Sequence, residues 1–123
     1  MPSDSKISYF IVQLTRATVE GNIKWKFADA PTSINVGTGD VIATYLEAEH
    51  RLQRVALYER RYLGYNSEID SAQWESNIVL AFLDKEDRVI WDYHESPLSV
   101  CNLFKVARES AAGIDRILDN FLG

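Results

Sequence analysis

The side chains best suited to chemistry in this sequence include a histidine between two carboxylates. His94 follows Asp92 and precedes Glu95 at the end of a predicted strand. An imidazole beside carboxylates can transfer protons or hold a metal ion. On a strand, however, Asp92 and His94 share a face while Glu95 points the other way. A catalytic zinc needs about three protein ligands, and the sequence has no HExxH or paired-cysteine motif, so we expect a solvated strand end and no metal site.

Two further features resemble parts of catalytic or phosphate-binding sites. The single cysteine, Cys101, lies in the first turns of a predicted helix, a position at which helix dipoles activate nucleophiles. No base accompanies it, and its neighbours Val100 and Leu103 predict apolar packing. The segment 37–39, Gly-Thr-Gly, lacks the lysine of a phosphate-binding loop and predicts a turn. The sequence also has no GxSxG elbow, so it predicts no catalytic residue and no cofactor.

A run rich in tyrosine and arginine between residues 51 and 65 predicts a binding surface. Strand alternation places Tyr58, Arg60 and Tyr62 on one face. Tyrosine and arginine are enriched in interface cores, and they also stack on single-stranded nucleic acid or a nucleotide. A solvated sheet face or a charged edge strand remains open as an alternative. The candidate binding residues are Arg54, Tyr58, Arg60, Tyr62 and Tyr65.

Length and composition indicate that these residues belong to one globular domain. The 123 residues fit a single domain spanning 1–123, of which we expect residues 1–4 to be disordered. A net charge of −5 argues against nucleic acid and anionic membranes as partners. Residues 1–65 nevertheless carry 8 basic and 7 acidic side chains, whereas residues 66–123 carry 5 and 11. The lone cysteine, and the lack of a secretory or membrane-spanning apolar run, predict a cytoplasmic protein.

The first third of the chain predicts a helix followed by a strand. Asp4 or Ser5 is expected to cap a helix whose apolar residues recur at a spacing of three and four, and Gly21 is expected to end it. Residues 23–27 then alternate between apolar side chains and lysines, which is typical of a half-buried strand.

The middle of the chain is ambiguous. A weak strand at 32–36 is expected to pair with residues 41–48 across a glycine-rich turn. Residues 43–63 fit an amphipathic helix through their alanine, leucine and glutamate content, but they also alternate as strands do and contain tyrosines that suit a sheet.

The C-terminal half is clearer. Residues 75–83 and 88–93 predict a hairpin around a charged turn. Pro97 marks the start of an amphipathic helix, because proline suits the first helical position. Its apolar stripe runs from Val100 to Phe121, and Gly113 weakens its middle or marks a close backbone contact.

Four stretches of the sequence, in the same order, resemble a group of uncharacterised single-domain bacterial proteins. Residues 14–25 are similar to the group's opening LLxxTxxGkIxW, and 55–62 to its LYxxxY. Residues 89–93 and 103–118 are similar to its xVIWxF and LYxxvrxqaxgvDxfLxxL segments. The resemblance implies a strand at 54–64. It gives no information about an activity, a cofactor or a catalytic residue.

Together these patterns predict an α+β fold and a binding role. We expect an N-terminal helix, an antiparallel meander of about five strands, and a long C-terminal amphipathic helix packed on one face of the sheet. The preferred function is a non-enzymatic interaction protein, either a homodimer or an accessory factor acting on another protein. Immunity proteins and secretion chaperones share this outline. The alternative is a small-molecule or nucleotide binder with a pocket between the sheet and the C-terminal helix, lined by Trp25, Trp74 or Trp91.

Overall fold

The fold is α+β, as the sequence predicts. The computed structural model describes residues 2–123, within which five strands form one antiparallel sheet in chain order. One helix precedes the sheet and two follow it in this described part. No helix among these residues is long and apolar enough to cross a membrane. The elements are α1 (Asp4–Val19), β1 (Lys26–Phe27), a 3₁₀ helix (Thr32–Ile34), β2 (Val41–His50), β3 (Gln53–Asn66), β4 (Ser71–Leu83), β5 (Val89–Tyr93), α2 (Leu98–Ala112) and α3 (Ile114–Leu122).

Helix α1 begins slightly earlier than predicted. Its N-cap is Ser3 rather than Asp4 or Ser5, and the Ser3 hydroxyl accepts a hydrogen bond of 3.2 Å from the amide of Lys6. This bond satisfies one of the free amides of the first turn. The helix therefore starts within residues 1–4, the segment expected to be disordered. Met1 lies outside the described residues.

The sheet has two covered faces. On the helix face, α1 and α2 pack onto side chains such as Leu46, Leu57 and Leu80. On the opposite face, which we call the loop face, the chain between β1 and β2 covers Tyr58 and its neighbours. Both clusters contain fully buried residues, so the central strands are buried on both sides. This double burial explains why residues 43–63 form strands, since a helix would bury only one stripe of its surface.

The predicted strand at 32–36 is wrong, and so is its hairpin with residues 41–48. Residues Thr32–Ile34 form a 3₁₀ helix, and β2 pairs with β1 and β3 instead. Ile34 packs on the loop face beside Ala30, where it helps to cover the sheet. A short alternating segment does not show whether its apolar side chains lie within a strand or cover a sheet. The strand predicted at 23–27 shortens to Lys26–Phe27. Ile23 and Trp25 are buried, as the alternation predicts, whereas Phe27 is exposed.

The C-terminal helix is divided in two at Gly113. This glycine has a φ of 68°, the left-handed conformation that ends α2 and that only glycine adopts without strain. A Cβ at Gly113 would meet only the Arg116 guanidinium within 4 Å, at 3.5 Å, so a helix break rather than a close backbone contact accounts for the residue. Pro97 is the N-cap of α2 rather than its first residue. The stripe is buried in α2 but exposed in α3, where Phe121 is 85% exposed.

Candidate interaction surface

The five predicted binding residues do not form one surface. Four of them, Arg54, Tyr58, Arg60 and Tyr62, lie on the loop face of β3, as alternation predicts. Tyr65 lies on the helix face. Arg54 and Tyr65 are eleven residues apart on one strand, which separates them by roughly 35 Å. A single partner would therefore contact only part of this set.

Tyr58 is part of the core. It is 3% exposed and stacks on Tyr45, with the ring centres 5.9 Å apart. Burial raises the pKa of Tyr58 to about 12, and the charge of Asp92 adds to this effect. A side chain this deeply buried contacts no partner in the folded state, so the role of Tyr58 is structural.

Arg54 joins three parts of the sheet. Its guanidinium lies 2.7 Å from a carboxylate oxygen of Glu47 on β2 and 2.7 Å from one of Asp87 in the turn between β4 and β5. It also donates a hydrogen bond of 2.8 Å to the carbonyl of Asp84. The hydrogen bonds to Glu47 and Asp87 raise the pKa of the guanidinium. With its donors used within the chain, Arg54 stabilises the sheet rather than offering a binding group.

Arg60 and Tyr62 are half-buried further along the loop face. The guanidinium carbon of Arg60 lies 5.6 Å from the centre of the Tyr62 ring, a cation–π distance. Nε of Arg60 and Oδ1 of its cross-strand neighbour Asn77 are buried without a hydrogen-bond partner among residues 2–123. Buried polar atoms of this kind are usually satisfied by a water or another polar group.

Beyond Arg61, β3 and β4 continue past the other strands as a two-stranded ribbon. The pairing of β2 with β3 reaches only Arg61, and the pairing of β5 with β4 reaches only Leu80. Residues 62–66 and 71–75 consequently pair only with each other within the described chain, joined by a turn at 67–70. We call these residues the ribbon.

One side of the ribbon is apolar and exposed. Leu63 lies opposite Trp74, and Tyr65 lies opposite Ala72. The exposed fractions are 59% for Leu63, 66% for Tyr65 and 61% for Trp74. These three side chains share the helix face of the sheet, and we call them the ribbon face. Of the three, only Tyr65 is among the predicted binding residues.

The sequence does contain a signal for the exposure of Trp74. The residues two positions away on the same side of the strand, Ala72 and Ser76, are small, whereas Trp25 stands between Ile23 and Phe27 in its own alternation. Leu63 carries a weaker signal for exposure, since it lies on the same side of the strand as Tyr65. Neither pattern shows that the neighbouring strands end before these residues, and so the ribbon face is missed.

The outer edge of β4 is open along the ribbon. The amide of Ile78 donates a hydrogen bond of 3.0 Å to the hydroxyl of Ser96, on the side of β4 opposite β3. The Ile78 amide therefore points away from β3. In an antiparallel strand the amides and carbonyls of alternate residues point to the same side. Ala72, Trp74 and Ser76 therefore direct their amides and carbonyls outward, with no neighbouring strand among the described residues. We call these three residues the open edge.

Glu75 is held away from this edge. A Cβ placed on Gly64, its diagonal neighbour on β3, would lie 2.6 Å from a carboxylate oxygen of Glu75. The Glu75 side chain therefore folds back over the bare backbone of β3. Gly64 makes this position possible, because any larger residue would push the carboxylate away.

The remaining candidates from the sequence do not assemble a chemical site. Nδ1 of His94 lies 3.6 Å from a carboxylate oxygen of Asp92, on an exposed strand end. In the described part of the chain, no three His, Cys, Asp or Glu side chains are grouped so that they would hold a metal ion. Cys101 is half-buried with its sulfur 3.7 Å from the hydroxyl of Ser96. Gly37 lies in a turn with a φ of 78°.

The three tryptophans have three different environments. Trp25 is buried in the core, where its Nε1 donates a hydrogen bond of 2.9 Å to the hydroxyl of Thr18. Trp74 is exposed on the ribbon. Trp91 packs on Phe82 with ring centres 4.9 Å apart and lines an open apolar hollow of about 440 Å³ beside Phe10 of α1. This hollow lies between α1 and the edge of the sheet, not beside the C-terminal helices.

Comparisons with known proteins give no relative for the chain. No protein family matches it, and no match was found among the curated proteins or the solved structures.

Proposed function

We propose that this protein is a non-enzymatic interaction protein that binds another polypeptide through the ribbon. The observation that carries the proposal is the combination, in one projecting hairpin, of the exposed ribbon face and the open edge of β4. The proposed binding surface includes Tyr65 and lies beside Arg60 and Tyr62, whereas Arg54 and Tyr58 lie outside it.

The energetics of a two-stranded ribbon support this proposal. A hairpin without a third strand or a packed face is marginally stable in water. Unpaired strand edges also attract other chains, so proteins usually guard them with lysine, proline or a covering loop. Residues 71–77 contain no lysine, arginine or proline. A partner strand would satisfy the outward amides and carbonyls, and its side chains would cover the ribbon face.

The proposal is tested with the double variant Leu63→Ser/Trp74→Ser. Both side chains are more than half exposed, so their replacement should leave the fold intact. The wild-type protein is immobilised, and the species that it retains in stoichiometric amount from extracts of its own cells, including further copies of itself, are identified by mass spectrometry. We expect the double variant to weaken that binding about tenfold or more, as the loss of central aromatic contacts does.

Phe121→Ser is the matched control. Phe121 is a still more exposed apolar residue, but it lies on α3. Binding that the control loses to the same degree would show general stickiness of apolar surface and would contradict the proposal. The same conclusion would follow if the double variant bound as tightly as the wild type, or if the wild type retained no partner.

A further inference from the structure

We infer that the occupant of the open edge is a second copy of this chain, joined by antiparallel pairing of the two β4 strands about a two-fold axis at Trp74. The inference rests on the proposed function and names its partner. The two sheets would then form one continuous sheet of ten strands, since each copy contributes five.

The direction of the backbone groups limits the possible registers. In an antiparallel ladder, an outward-facing residue must stand opposite another outward-facing residue. With the axis at Trp74, the pairs are Trp74 with Trp74 of the other chain, Ala72 with Ser76, and Ser76 with Ala72. Each of these three pairs exchanges two bonds, so the register forms about six backbone hydrogen bonds.

Other centres are less favourable. An axis at Ser76 would bring Trp74 opposite Ile78, whose amide is already bonded to Ser96. An axis at Glu75 would place two carboxylates directly opposite each other, which destabilises a strand pair. An axis at Gln73 would pair only Ala72 with Trp74, and therefore forms fewer hydrogen bonds than the axis at Trp74.

The charges of the edge also fit a second copy. With the axis at Trp74, Glu75 stands opposite Gln73, so no like charges are directly paired. The carboxylate of Glu75 is folded back over Gly64, away from the approaching strand. Glu75 is the one charged residue within 71–77, and its retraction leaves the edge free to pair with an identical edge.

The apolar side chains would be buried together. A two-fold axis perpendicular to the sheet keeps the helix faces of both copies on the same side. The two Trp74 rings then lie side by side, each next to a Leu63 of its own chain. Aromatic and aliphatic cross-strand neighbours stabilise a sheet, and this contact would remove from water the surface that is exposed in one copy.

The test is sedimentation of the full chain over a range of protein concentrations, with wild type and Ser76→Pro compared. The Ser76 amide points away from β3, so proline removes an edge donor without breaking the pairing of β3 with β4. We expect a dimer in the wild type and a dissociation constant at least about tenfold weaker in Ser76→Pro, since proline removes a hydrogen-bond donor from both Ala72–Ser76 pairs and its ring hinders the approach of the second strand.

Ser99→Pro is the matched control. It places the same substitution at the second residue of α2, where the amide has no helical acceptor. The control should dimerise like the wild type. A wild-type dimer that Ser76→Pro leaves intact would overturn the inference, because the copies would then meet at another surface.

The failure of this inference can be told apart from the failure of the proposed function. A wild-type chain that stays monomeric at every concentration overturns the second copy as the occupant. If Leu63→Ser/Trp74→Ser still abolishes binding of a different protein, the ribbon remains the binding surface and the proposed function stands. If that variant changes nothing either, both proposals are wrong.

Discussion

Replacement of Leu57 by alanine is expected to lower the free energy of unfolding by about 3 kcal/mol. Leu57 is fully buried at the centre of the helix face, where it lies between Leu46 and Leu80 on the neighbouring strands. Alanine would leave a cavity that the surrounding strands cannot close without disturbing their pairing. Denaturant unfolding at a fixed protein concentration measures the change.

Leu52→Ala is the control for Leu57→Ala. Leu52 is exposed in the turn between β2 and β3, so the same substitution should change the free energy of unfolding by less than about 0.5 kcal/mol. Equal losses at the two positions would show that Leu57 does not lie in a packed core, which would contradict the double-faced burial of the sheet.

The second large effect is a loss of folding stability at high pH, caused by ionisation of Tyr58. Its pKa is raised from 10.0 to about 12, first by burial and then by Asp92. The pKa of Tyr58 is higher in the folded state than in the unfolded state. The stabilisation from neutral Tyr58 is therefore complete below pH 10 and is lost as the pH rises through 12. This shift of the pKa corresponds to about 3 kcal/mol.

Tyr58→Phe should remove that part of the alkaline loss. Denaturant unfolding of the variant and the wild type is measured at neutral pH and between pH 10 and 12. It gives the effect of the substitution on the free energy of unfolding and the pH dependence of that effect. We expect the free energy of unfolding of the variant to fall less than that of the wild type as the pH rises. Burial also raises the pKa of Tyr45, which the variant retains, so some alkaline loss remains. Parallel curves for the two proteins would contradict the burial of Tyr58.

Local pattern predicts the elements whose pairing partners are close in sequence. The hairpin of β4 and β5 follows from two alternating runs and the charged turn between them. The face shared by Tyr58, Arg60 and Tyr62 is likewise predicted correctly, because it depends only on the period of a strand.

The errors have non-local causes. Alternation shows which residues share a face, but it does not show that Ile34, more than twenty residues earlier, covers that face and buries Tyr58. Arg54 is removed from the candidate surface by Asp87, another distant residue. The ribbon depends on where β2 and β5 stop relative to β3 and β4, a property of four strands together rather than of one sequence segment.

Hydrogen exchange at the open edge tests the pairing of two β4 strands most directly. The amides of Ala72, Trp74 and Ser76 point outward, whereas those of Gln73 and Glu75 point toward β3. We predict that the three outward amides exchange rapidly in dilute protein and become protected as the concentration rises through the dimer transition. The inward amides should exchange more slowly than the outward ones in dilute protein. Outward amides that exchange rapidly at every concentration would contradict the pairing of two β4 strands.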